Sequence, residues 1–196
     1  MKSRTGLFVI LGIIVLLLFW GCGAYNNLIG VDQDVKTKWG NVETNYQRRT
    51  DLYNSVIKTI EGSANFEKST LREVIEARSR ATSINVNIDD SASLGKYQAA
   101  QAGLQSSFGK LLAVAEAYPD LKSTAAFQGF QTQIEGTENR INVARQDYNT
   151  AVQSYNLKVK TFPNNIFAGL FGYHEKAFYK SAAGSENAPN VEFNIK

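Results

Sequence analysis

Residues 28–60 read LIGVDQDVKTKWGNVETNYQRRTDLYNSVIKTI, and the fold follows from how apolar side chains are spaced along them. Leu28, Val31, Val35, Trp39, Val42, Tyr46, Tyr53, Val56 and Ile60 recur at three and four, the signature of one apolar stripe on an α-helix. No proline interrupts the stretch, and a helix of that extent is about 45–50 Å long at 1.5 Å per residue. A stripe of that length needs partners all along it. Arg49 fills a position where the spacing calls for an apolar residue, so the seam carries a charge near its middle.

Upstream, no charged residue occurs between Arg4 and Asp32, and residues 7–20 are almost wholly apolar. That is enough to cross a bilayer if the helix continues to about Tyr25. Lys2, Arg4 and the terminal amine favour a cytoplasmic tip, which sends the remainder across the membrane, although Lys36 and Lys38 weaken the asymmetry. Phe19-Trp20-Gly21 ahead of Cys22 matches poorly both a cleavage site and a lipoprotein signal, which leaves lipidation at Cys22 a weak candidate. The segment reads as an uncleaved anchor.

Downstream, residues 61–65 read as a helix stop, with Gly62 able to take the left-handed conformation. A second helix is expected over 66–83, with Leu71, Val74, Ile75 and Arg78 on one face and Glu67 in its first turn. Asn, Asp and Ser dominate 84–95, which reads as a loop. A third helix over 96–118 carries Tyr97, Ala100, Leu104, Phe108, Leu111, Ala115 and Tyr118, and stops ahead of Pro119. Asp120 or Ser123 is the expected cap of a long fourth helix, whose seam is Phe127, Phe130, Ile134, Thr137, Ile141, Ala144, Tyr148, Val152, Tyr155 and Val159. Phe162-Pro163 ends it, a short turn follows through Phe167 and Leu170, and 181–196 reads as a loosely ordered tail.

The expected fold is therefore all-α: an N-terminal transmembrane helix, then an antiparallel four-helix bundle of two long and two shorter helices. The segments are 1–25 for tip and anchor, 26–180 for the bundle and 181–196 for the tail. The length of 196 residues, with 43% hydrophobic and 20% charged residues, suits one folded core. A formal net charge of +3 gives no reason to expect nucleic acid as a partner. One cysteine and one histidine, His174, preclude an intramolecular disulfide and a zinc site of several imidazoles.

Three groups of residues could carry function. Arg48, Arg49, Asp51, Arg78, Glu138, Arg140 and Arg145 lie at or beside the apolar seams, where guanidinium forks can pair carboxylates and fix helix register, or else line a ligand or peptide groove. Tyr148-Asn149 and Tyr155-Asn156 repeat at seven on the fourth helix, as core tyrosines with satisfied polar tips or as a row that binds sugar or peptide. Residues 162–179 are rich in aromatics and glycine, suited to packing on the bundle, to a lipid interface or to a partner. His174 beside Glu175 has no serine, cysteine or second histidine placed with it, so no catalytic set and no cofactor is expected.

Taken together, these residues resemble the LemA family: Tyr25-Asn26-Asn27-Leu28-Ile29, Gln47-Arg48-Arg49-Thr50-Asp51-Leu52, Glu76-Ala77-Arg78-Ser79-Arg80-Ala81, Tyr118-Pro119-Asp120-Leu121, Glu135-Gly136-Thr137-Glu138-Asn139-Arg140-Ile141, and Phe162-Pro163-Asn164-Asn165-Ile166-Phe167. The match spans about residues 25–178. It departs from the family pattern after Asp51-Leu52, where Ile-Pro-Asn is common and Tyr53-Asn54-Ser55 stands here. The resemblance implies a bacterial, single-pass inner-membrane protein whose helical bundle lies outside the cytoplasm, in a family with no established catalysis. The expected role is an interaction or scaffold protein of the cell envelope, with the bilayer and an envelope protein as partners and self-association open. Two other readings are a sensor or receptor module for a peptide, lipid or glycan, and an uncharacterised hydrolase.

Overall fold

The computed structural model describes residues 2–61, 67–119 and 124–180. Among them it is all-α, with five helices and no strand: α1 (Lys2–Glu61), α2 (Lys68–Ser83), α3 (Ser91–Ala115), α4 (Ala125–Lys160) and α5 (Asn164–Phe171). The expected turn at 62–65, the Phe66 start of the second helix, the Asp120 or Ser123 cap and the tail from Ser181 lie outside the described residues.

The first helix is a single run of 60 residues from the apolar N-terminus to Glu61. Its N-terminal part is long and apolar enough to cross a membrane, and Ile10, Leu11, Leu16, Phe19 and Trp20 present their side chains outward. Beyond Tyr25 the helix becomes amphipathic. Leu28, Val35, Trp39, Val42, Tyr46, Tyr53, Val56 and Ile60 are all buried, as their spacing requires, and Arg49 is buried with them at 0% exposure. On the outer face Thr37, Thr44, Ser55 and Thr59 donate to the carbonyl four residues back, so polar side chains poor in helix propensity satisfy themselves locally.

The described residues divide into two compact units, one formed by 2–49 with 136–178 and the other by those of 50–135 with 179–180. Within the first unit α1 and α4 pair antiparallel. Lys38 meets Asp147, Trp39 meets Tyr148 edge-to-face at 5.3 Å, Tyr46 meets Arg145 and Arg49 meets Glu138, so numbers rise along α1 as they fall along α4. Ile141, Ala144, Tyr148, Val152, Tyr155 and Val159 form the buried stripe of α4, matching the expected seam.

The second unit gathers four helical segments around one core. Tyr53, Val56, Ile57 and Ile60 of α1 pack with Leu71, Val74, Ala77 and Ala81 of α2, Leu104, Phe108, Leu111 and Ala115 of α3, and Phe127 of α4. Tyr53 stacks on Phe108 with centroids 3.6 Å apart and the rings 2° from parallel.

Three local expectations change. The buried face of α2 is Thr70, Leu71, Val74, Ala77 and Ala81, while Ile75 is exposed: the stripe runs through the two alanines at three-and-four spacing and leaves Ile75 on its flank. Helix α3 begins at Ser91, five residues before the expected start, because Asp90 acts as its N-cap and accepts from Ala92 N–H at 2.9 Å. A turn around Asn87 supports that cap, with Asp89 N–H donating to Asn87 Oδ1 and Asn87 N–H to Ser93 Oγ. The same helix ends at Ala115, and Ala117 and Tyr118 donate three residues back in a tightened last turn. At the start of α4, Phe127 N–H donates to Thr124 Oγ1.

Candidate functional site

The residues singled out on α4 converge with α1 and the C-terminal segment inside the first unit. After α5, Gly172 closes the helix in the left-handed conformation at φ +74°, and Tyr173 N–H donates to Ala168 O at 2.9 Å. The chain then runs without helix along α4 over 173–178. Its backbone groups there need partners, and α4 supplies them from side chains.

Asn156 matches a peptide unit edge to edge. Its Nδ2 donates to Lys176 O at 3.0 Å and its Oδ1 accepts from Lys176 N–H at 2.9 Å, both bonds buried. Tyr155 Oη donates to His174 O at 2.9 Å, and Tyr148 Oη donates to Ala177 O at 3.0 Å. The tyrosine and asparagine row thus binds a peptide backbone, and the peptide is the chain's own. Asn149 is half-buried on the same helix.

The Lys176 side chain enters the unit as a buried cation. Nζ lies 2.9 Å from Asp32 Oδ1 and 4.9 Å from the Tyr155 ring centroid, a charge pair with a cation–π contact. Lys36, one turn along α1, pairs with the other Asp32 oxygen at 2.7 Å. Burial works to raise the Asp32 carboxyl pKa, but hydrogen bonds and charge from Lys36 and Lys176 outweigh it, and the net value falls below the ordinary 3.8. Sequence reading missed this pair. Asp32 stands beside the seam residue Val31, but only the fold brings Lys176 to it.

A second cluster surrounds Tyr46. The Arg145 guanidinium donates to Tyr46 Oη from Nε at 3.0 Å and also from Nη2, and reaches Asn142 Oδ1 at 3.4 Å. Arg49 lies 4.7 Å from the Tyr46 ring centroid, and its Nη1 is 3.2 Å from Glu138 Oε1. Of the seven seam charges, Arg49, Glu138 and Arg145 come together here. Arg48 and Arg140 are exposed within the same unit, while Asp51, exposed, and Arg78, half-buried, belong to the second unit. The buried Arg78 Nε makes no hydrogen bond among the described residues.

His174 is exposed, and Glu175 pairs with Lys160 at 2.8 Å. No group of three or more His, Cys, Asp or Glu side chains suited to a metal occurs among the described residues. Cys22 is exposed. Next to it, α5 packs on α1: Phe167 approaches Gly21, where an added Cβ would lie 3.1 Å from the Phe167 ring, and Phe171 meets Tyr25 edge-to-face at 4.9 Å. An open cavity of about 250 Å³ lies beside this contact, lined by Trp20, Gly23, Ala24, Asn27, Pro163, Asn164 and Phe167.

Comparison with known proteins follows the same residues. A family model described as LemA family matches residues 38–193. Magnetosome proteins MamQ 1 and MamQ 2 of Paramagnetospirillum magneticum are each 25% identical to this chain over 175 residues, covering 80% of it and 64% of the relative. Protein LemA of Metamycoplasma hominis is 24% identical over 160 residues, covering 82% of this chain and 70% of that protein. The chain thus spans just under two thirds of the length of these MamQ relatives.

Proposed function

The chain belongs to the LemA family, and from that premise we propose that it is a membrane-anchored helical protein that acts as an interaction scaffold at the bacterial cell envelope, without catalysis of its own. On this reading α1 crosses the inner membrane with its tip in the cytoplasm, and the folded region, an antiparallel helical bundle, projects outside it. The names of the family and of the relatives are not enzyme names, which is compatible with a binding role.

The observation that carries the proposal is how the candidate binding residues are used. Tyr148, Tyr155 and Asn156 clasp residues 174–177, and Arg49 and Arg145 bind Glu138 and Tyr46. A receptor for an external peptide or glycan would keep such groups accessible. Here they tie the chain to itself, as a support does. Continuity of α1 from the apolar segment into its amphipathic part connects that support to the bilayer.

In-membrane cross-linking of the tagged full chain, with mass spectrometry of what it captures, tests the proposal against a control chain lacking the apolar part of α1. The scaffold reading expects one envelope protein captured reproducibly and lost in the control. Capture of nothing, or equal capture by the control, would overturn it.

A further inference from the structure

We infer that the outer face of α5, formed by Ile166 and Leu170 with Phe162 just before the helix, sits in the lipid–water interface on the side of the bilayer that holds the folded region. The inference rests on α1 crossing the membrane and adds a second lipid contact to it.

Six of the eight residues of α5 are apolar or glycine, and the helix uses only one side of itself for packing. Ala168 is buried at 1%, Phe167 lies against Gly21, and Phe171, though 42% exposed, meets the Tyr25 ring. Ile166 and Leu170, one turn apart, are 61% and 76% exposed, and Phe162 is 73% exposed. Water would oppose three such side chains exposed within nine residues of one another. A helix in water gains by turning them inward or replacing them with polar residues.

What covers this face is fixed by where α5 stands along α1. Phe167 lies against Gly21 and Phe171 against Tyr25, and a few residues later Lys176 binds Asp32. These contacts pin α5 at the level of residues 20–25, where the apolar span ends and aromatic residues collect at Phe19, Trp20 and Tyr25. The outward side chains of α1 at that level, Phe19 and Trp20, are themselves exposed at 83% and 56%, so the apolar surface of the span continues onto α5. Charge begins only at Asp32, about 10 Å further along the helix at 1.5 Å per residue, enough to clear a headgroup layer about 5–8 Å deep. Apolar surface below, aromatic residues between and ion pairs above is the order in which a lipid interface sorts side chains.

Depth measurement by spin labelling tests the inference on the full chain. In a Cys22→Ser background, nitroxides are placed singly by Ile166→Cys and Leu170→Cys, with Ile13→Cys as the reference within the span and Gln153→Cys as the reference on the exposed face of α4. The proteins are reconstituted into vesicles of phosphatidylcholine with phosphatidylglycerol, and collision with oxygen is compared with collision with a water-soluble nickel chelate. The expected result is oxygen preference at 13, 166 and 170, several-fold above position 153, which prefers nickel. Nickel preference at 166 and 170 with oxygen preference at 13 would overturn the inference and leave the span intact. Nickel preference at 13 as well would overturn the span and the inference with it. Labels at 166 and 170 screened from both reagents would assign the face to a protein surface, a partner or a second copy, and would also overturn it.

Discussion

Replacing Asn156 with leucine should release the extended segment from α4 while leaving the helix itself in place. Leucine keeps the γ-branched outline of asparagine with bulkier methyl groups and has a better helix propensity, so the loss falls chiefly on the two buried hydrogen bonds to Lys176. Each is worth about 1 kcal/mol net, and a further cost arises because the Lys176 N–H and C=O lose their partners in a buried setting. The opening free energy of the segment should therefore fall by about 2–3 kcal/mol, or roughly 30- to 150-fold in the opening equilibrium. Amide hydrogen exchange reads this directly at Lys176, under conditions where exchange reports the opening equilibrium. Tyr155→Phe, which removes one bond to His174 O, should give a smaller change of about fivefold. Exchange at the Lys176 amide unchanged in Asn156→Leu would refute the claim that α4 holds the segment through these bonds.

Three further outcomes follow from the geometry. Glu138→Ala should lower stability by about 1–3 kcal/mol in thermal denaturation, because it strips a carboxylate from the buried Arg49, while replacing both partners by leucine should restore most of it. The folded-state pKa of Asp32 is depressed, so its contribution is complete above the ordinary value of 3.8 and is lost as pH falls through the lower folded value; the melting difference between the native chain and Asp32→Asn should be constant from pH 5 to 7 and shrink only at more acid pH, roughly below 4. Phe108→Ala empties the ring stacked on Tyr53 and should cost about 3–5 kcal/mol, seen as early loss of exchange protection within the second unit.

The helical part of this structure was legible because its physics is periodic. Nearly every seam residue of α1 and α4 expected at three-and-four spacing is buried or half-buried, since a long helix can hide apolar surface only along one stripe. Arg49, conspicuous as a charge in that stripe, is indeed buried and paired. The start of α3 escaped because Asp90 and Ser91 belong equally to loops and to helix caps, and composition alone cannot separate the two. The face of α2 escaped because Ala77 and Ala81 carry a weaker hydrophobic signal than Ile75. Hardest to read was residues 173–178. They have no period of their own, and their partners on α4 reach them through side-chain contacts to backbone that no local spacing encodes. The sequence marked Tyr148, Tyr155 and Asn156 as polar groups in a buried row. It held no sign that their ligand lay a short distance further along the same chain.

On the proposed reading α1 is both a membrane span and the first helix of the folded region. Alkaline extraction of membranes from cells expressing the full chain, followed by protease treatment of intact spheroplasts, tests that most directly. The chain should stay in the extracted membrane pellet, and protease outside the cell should digest the folded region down to a membrane-protected fragment containing the first 25 or so residues. Release of the intact chain into the alkaline supernatant would contradict the span, and a folded region untouched until the spheroplasts are lysed would contradict its placement outside the cytoplasm.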